Sequence, residues 1–412
     1  MLGGCNIVLI CMVMVCINGG RINGACIAFM DKAPLREWRT EAELPWEQEE
    51  STEEPSAEEV QNTLLQEYDF NELDRILSRN LEEKEFNFGD LVRSLIQGDV
   101  DGQGIDWKEY FYQIFLRELD ANREIMVKLI LLAMITAIFT NLSGSMGKGL
   151  ISENGFYITY LIMTALLMSS FALIYQVAEA TIVEILDIME ALIPAYMMAV
   201  GLSSGATSSV VLQEGMVMGI TVVSWGIQKI VLPCAQVYVL LGLINNLMEE
   251  DRFSKLGDLI QSGTGWLMKS VLAFVVGLNA IKSMLAPAAD SVTATALQRG
   301  LSAIPGGQAV TAVSGVVIGS GVLIKNGIGA GGMLLLLLVV SVPVLKMSVF
   351  IFSYKFMAAL LQPISDKRMI QGIQCVSEGG QMLITAVLTV IVLFLLSIAI
   401  VAVSTNVTYY AG

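Results

Sequence analysis

The sequence predicts an all-α, polytopic membrane protein of about seven to eight spans, preceded by a small acidic helical region outside the cytoplasm. Three observations lead there. Of 412 residues, 54% are hydrophobic and the mean hydropathy is +0.65, too apolar for an ordinary water-soluble domain. Charge is segregated: residues 31–124 hold 26 acids against 10 bases, whereas residues 125–412 hold 13 of each. The stretch Gly300–Gly332 places ten glycines in 33 residues with one charge, Lys325.

Glycine at that density weakens a helix in water by roughly 1 kcal/mol per residue relative to alanine. In lipid the competition from water is gone, and small residues let helix backbones approach closely. Gly315 with Gly319 and Gly327 with Gly331 form GxxxG pairs, which suit tight helix packing. The segment around Pro305, Ile304-Pro305-Gly306-Gly307, also suits a broken helix at membrane depth, tolerated only where it is buried or lines a cavity.

Composition excludes much chemistry. The chain has no histidine, which removes Ser-His-Asp triads, Cys-His dyads and histidine zinc sites. Six cysteines form no framework, and Cys234 and Cys375 read as small apolar residues. The acidic region is a poor surface for nucleic acid, and no cofactor, metal or catalytic constellation is expected.

Taken in order, residues 1–25 read as a signal peptide around the apolar run Ile7–Ile17, although a basic n-region is missing; an uncleaved anchor and a lipoprotein are the alternatives. Residues 26–59 are an acidic, proline-containing linker expected to be disordered. Residues 60–124 show helical spacing of apolar residues, beginning Val60, Leu64, Leu65, Tyr68, Leu73, Ile76, Leu77 and Leu81. They predict a small amphipathic cap on the membrane surface or a docking face for a partner. Asp99, Asp101 and Gln103 followed by Gly104 look like the start of a calcium loop, but Tyr110 stands where the bidentate glutamate belongs. A turn followed by a capping box explains those residues as well.

Residues 125–405 form the polytopic part, and 406–412 a tail. Spans are expected at 125–142, 156–177, one or two within 210–247, 265–286, near 309–324, 332–354 and 382–403. Between the second and third of these, Glu179, Glu184, Asp187 and Glu190 fall within an arc of about 140°, opposite Ile182, Ile185, Met189 and Ile193, so that helix faces an interface or a cavity. Pro194, Gly201 and Gly205 are expected to break or tighten the chain beyond that helix. Glu214 and Lys282 are ionisable groups at or near membrane depth and hence functional candidates. Positive charges in short loops place Lys148, Arg299 and the Lys355–Arg368 cluster in the cytoplasm, with 249–262 and Lys325 outside. The structural and pore candidates are therefore Pro194, Gly201, Gly205, Glu214, Lys282, Pro305, Gly315, Gly319, Gly327 and Gly331, with Leu336 as a lipid-facing reference.

Three motifs in fixed order, ALIPAYMMAVGLSSGATSSVV from Ala191, IPGGQAVTAVSGVVIGSGVLIKNGIGAGG from Ile304 and LQPISD from Leu361, resemble the stage III sporulation protein AE family over roughly 125–405. That resemblance implies a multi-pass protein of the mother-cell membrane around the forespore. It also implies partnership with other stage III sporulation membrane and ring proteins in a secretion-like channel, embedded in the lipid bilayer, with a homo-oligomer open. It supplies no catalytic residues. A stand-alone secondary transporter is the alternative, and flux through the purified protein separates the two.

Overall fold

The computed structural model describes residues 57–80, 87–98 and 150–406, except Gly205, 249–250, 303–306 and Ile364, with scattered positions between 112 and 135. The expected signal segment, most of the linker, the calcium-like loop, most of the 125–142 span and nearly all of the tail lie outside the described residues.

Three short helices come first: α1 (Ala57–Gln66), α2 (Asn71–Asn80) and α3 (Phe88–Gln97). The apolar periodicity from Val60 to Leu81 predicts one helix, but the chain breaks between Gln66 and Asn71. There the Asp69 carboxylate accepts from the Asn71 amide at 3.0 Å, offering the backbone a turn in place of helix. α3 is closed at both ends. The Asn87 side chain accepts from the Gly89 amide, and Gly98, at φ 76°, returns its own amide to the Ser94 carbonyl.

The remainder is a set of long rods: α4 (Leu150–Ser204), α5 (Ala206–Gly226), a π-helical turn (Ile227–Val231), α6 (Leu232–Leu247), α7 (Ser254–Ser302), α8 (Gly307–Leu361) and α9 (Lys367–Asn406). Among the described residues there is no strand. Five stretches are long and apolar enough to cross a membrane: Gly155–Ser204, Ser209–Leu247, Ser254–Met284, Val317–Leu361 and Lys367–Val403. At 1.5 Å per residue, α4 and α8 are each about 80 Å long, well over the length of about 20 residues that one crossing needs.

The rods alternate in direction. Leu192, Tyr196 and Leu202 of α4 meet Gly332, Gly329 and Gly321 of α8, so these two run antiparallel. Ile351 and Lys325 of α8 bond to Ser377 and Thr405 of α9, again antiparallel. Gly215, Gly219 and Gly257 face Asn279, Val275 and Tyr238, which pairs α5 and α6 with α7 in the same sense. The turns at 248–253 and 362–366 therefore share one end. The close of α4, the first part of α8 and the close of α9 share the other. This overturns the expectation that 249–262 and the Lys355–Arg368 cluster lie on opposite sides.

Three expected interruptions are absent or moved. Pro194 lies inside α4, where it faces outward and the helix runs through it to Ser204. The segment 210–247 is one rod. Its π turn at Ile227–Val231 sits just before Pro233, whose ring would clash with the carbonyl four residues earlier, at Lys229. The expected spans 309–324 and 332–354 are a single helix, because glycines surrounded by packed neighbours lose little by remaining helical. The acidic face of α4 is as predicted: Ile182, Ile185, Met189 and Ile193 are buried, while Glu179, Asp187 and Glu190 are exposed and Glu184 is half-buried.

Candidate functional site

The glycines of α8 between Gly321 and Gly332 let three other elements, α3, α4 and α9, close on one helix. A Cβ on Gly327 would meet Ile96 Cγ1 at 2.7 Å and Val92 at 3.2 Å, and one on Gly331 would meet Phe88 and Val92 at 3.2 Å. These partners are the apolar face of α3, so the small helical region packs on the bundle itself. Gly329 faces Tyr196 and Ile398, both at 3.2 Å. Gly332 faces Leu192, and Gly321 faces the backbone of Leu202 and Ser203 at 3.3 Å. No larger residue fits at these positions without displacing a neighbour.

Polar bonds hold the same region. Tyr196 donates its hydroxyl to the Ile398 carbonyl at 3.3 Å, and Ser209 donates to the Met197 carbonyl at 2.6 Å across the α4–α5 hairpin. Lys325, expected in a loop on the side away from the cytoplasm, lies within α8, is completely buried and donates to Thr405 Oγ1 at 2.6 Å. α2 reaches α4 through Arg79 and Glu184, 3.5 Å apart.

The other candidates are scattered. Gly201 lies in the α4–α5 hairpin, where a Cβ would meet Ser209 at 3.6 Å. Gly205 and Pro305 fall outside the described residues, between α4 and α5 and between α7 and α8. Gly315 is helical, but its surroundings are also outside the described residues. Around Gly319 nothing described lies within 4 Å of a Cβ, so the expected close contact is not found there. Glu214 is exposed. Lys282 is half-buried, its stem 3.1 Å from where a Cβ on Gly215 would sit, beside Asn279, which donates to Ser397 Oγ at 3.2 Å. Leu336 is fully buried, and Leu337 is the exposed neighbour, so the lipid-facing reference moves by one residue.

Sequence reasoning missed a second set of close approaches, at the other end of the bundle. Gly372 faces Tyr160 and Met163, Gly379 faces Phe171 at 3.0 Å as well as Val239, Gly380 faces Ile351, and Gly242 faces Cys375. The adjacent pair Gly379-Gly380 within a strongly apolar helix was the available signal.

Alternating long rods, continuous apolar faces and glycine-mediated contacts define a polytopic helical membrane protein. The family model described as stage III sporulation protein AE matches residues 86–405. Stage III sporulation protein AE of Bacillus subtilis (strain 168) is 24% identical over 319 residues, covering 77% of this chain and 80% of that protein. No solved structure matches. The chain belongs to the stage III sporulation protein AE family, and the matched region includes α3 together with all the long rods.

Proposed function

We propose that this protein is a multi-pass component of a secretion-like channel complex linking mother cell and forespore, seated in the mother-cell membrane and assembled with other stage III sporulation membrane and ring proteins. The observation that carries this reading is family membership extending over the whole rod bundle and over the helix docked on its glycine face.

Sidedness is argued from charge. The end holding the turns 248–253 and 362–366 carries Arg252, Lys255, Lys367 and Arg368, whereas Arg299 is near the opposite end. Cationic residues in short loops are retained in the cytoplasm, so the first end is cytoplasmic and α1–α3 lie on the other side. The position of α3 against Gly327 and Gly331, nearer the opposite end of α8, supports the same assignment.

The test is deletion of the gene in its spore-forming host, complementation by the parent chain, and co-purification from sporulating cells. Arrest after engulfment with recovery of other stage III proteins supports the reading; normal spores overturn it. Burial of Lys325 inside a long apolar helix favours a second reading, a stand-alone transporter, because ionisable groups at membrane depth are costly and commonly functional. Solute flux in liposomes containing only this chain would favour that second reading.

A further inference from the structure

The helix α9 changes character along its length. From Met382 to Val403 it carries no charge. Before that, Lys367, Gln371, Gln374, Glu378 and Gln381 recur at spacings of four and three, which places them in one stripe. Lys367, Gln371 and Gln374 are exposed, and Glu378 and Gln381 are half-buried. Ile370, Ile373, Val376, Gly379 and Gly380, between them in sequence, are buried against the other rods. The stripe has polar neighbours: Tyr238 of α6 donates to Glu378 Oε2 at 2.6 Å, and the Tyr238 ring packs on Gly257 of α7, next to exposed Asp258.

At the same depth the opposite flank is apolar. Gly372 lies against Tyr160 and Met163, and Gly379 against Phe171, so the stripe is level with residues 160–171 of α4. There α4 has no charge from Gly155 to Ala178 and exposes Ile158, Leu161, Ile162 and Leu173, each at least 50% accessible. α8 exposes Phe352, Phe356 and Leu360, with the single charge of Lys355 among them, beside Ile351, which accepts from Ser377 of α9. Large apolar side chains exposed in rows match a lipid-facing surface. A row of glutamines with a carboxylate does not, because each polar group facing hydrocarbon without a partner costs several kcal/mol.

We propose that the α9 stripe from Lys367 to Gln381 is the wall of a water-filled passage at membrane depth, opening at the end that carries the 362–366 turn. Deeper than Lys367 and Arg368, the one charge on α9 is Glu378, so the wall accepts hydrated neutral or cationic solutes in preference to anions. This inference deepens the channel reading, but its test is independent of sporulation.

Single cysteines at Gln371, Gln374, Ile162 and Phe356, in a chain whose own cysteines are replaced by alanine and which elutes as the parent does, carry nitroxide labels in proteoliposomes. Collisions with a water-soluble nickel chelate and with oxygen then report water and lipid. The expected result is nickel access at 371 and 374 with oxygen access at 162 and 356. Oxygen access or complete shielding at 374 overturns the passage and leaves the sporulation role standing. Nickel access at all four sites also overturns it, because that depth then lies outside the lipid. An arrest phenotype without any passage, or normal sporulation with one, separates the two readings.

Discussion

Lys325 Nζ donates to Thr405 Oγ1 at 2.6 Å, tying the glycine-rich part of α8 to the last turn of α9 with the ammonium completely buried. The Thr405 hydroxyl itself donates to the Val401 carbonyl at 2.7 Å, and Ser204 at the end of α4 donates to the Thr405 carbonyl at 3.3 Å. Three rods thus converge on one threonine. Removing an acceptor from a buried charge costs more than removing the charge itself. Thr405→Val is therefore expected to destabilise by roughly 1–3 kcal/mol, and Lys325→Met by less than about 1 kcal/mol. Thermal unfolding in detergent gives the order directly. A greater loss for Lys325→Met would mean that the ammonium contributes net stability to the junction.

Gly327 and Gly319 separate packing from mere smallness. Gly327→Leu drives a side chain into Ile96 and Val92, and overpacking of this kind costs roughly 1–3 kcal/mol. Gly319→Leu meets no described neighbour within 4 Å of its Cβ, and a Leu337→Ala change lies on an exposed site. Limited proteolysis of the membrane-inserted variants should release residues 57–98 from Gly327→Leu and leave them protected in the other two. Equal protection in all three would show that α3 holds its place without the glycine contact.

The class of fold was legible from composition, and the amphipathic face of α4 from the positions of Glu179, Glu184, Asp187 and Glu190. Helix continuity was not. Pro194, Pro233 and the Gly300–Gly332 tract carry the local marks of breaks, yet the helix runs through Pro194 and Pro233, and from Gly307 to Gly332 the tract is continuous helix. Local propensity is a property of a residue and its neighbours in sequence, whereas continuity here depends on partners more than a hundred residues away, such as Tyr196 with Gly329. The roles of Lys325 and α3 were hidden for the same reason. A lysine between glycines reads as a loop charge until Thr405 is brought beside it. The apolar face of α3 reads as a membrane-surface helix until Gly327 and Gly331 receive it.

Tyr68 makes the docked region sensitive to alkali. Its ring stacks on Phe70, its hydroxyl is buried without a partner, and burial, aided by Glu67, pushes its pKa up to about 12. A tyrosine in the unfolded chain titrates near 10. The protonated form is thus favoured by folding: the contribution is fully present below about pH 10 and is lost as pH rises toward 12. Protease protection of residues 57–98 should fall across that window. Tyr68→Phe should abolish this alkaline fall without loss of protection at pH 8, because the hydroxyl has no bond to give up. An unchanged profile in the variant would assign the transition to another group.

The alternation of the rods makes a prediction about the membrane that charge counting alone does not. Two turns, 248–253 and 362–366, lie at one end because Tyr160 donates to the Leu243 carbonyl at 2.9 Å while Gly372 packs on the same tyrosine. Arg368, 3.9 Å from the centroid of the Phe156 ring, fixes the start of α9 at that end as well. A reporter active only in the cytoplasm should therefore give the same answer at both turns, whichever side they occupy. With Arg252, Lys255, Lys367 and Arg368 gathered there, that answer should be activity. The same reporter fused at Gln103 should be silent, since α3 is docked on the half of α8 nearer the opposite end. Activity at one turn and silence at the other would break the alternating arrangement itself. Activity at all three sites would leave the rods intact but place the docked helices in the cytoplasm, and with them the face of the bundle that α3 covers.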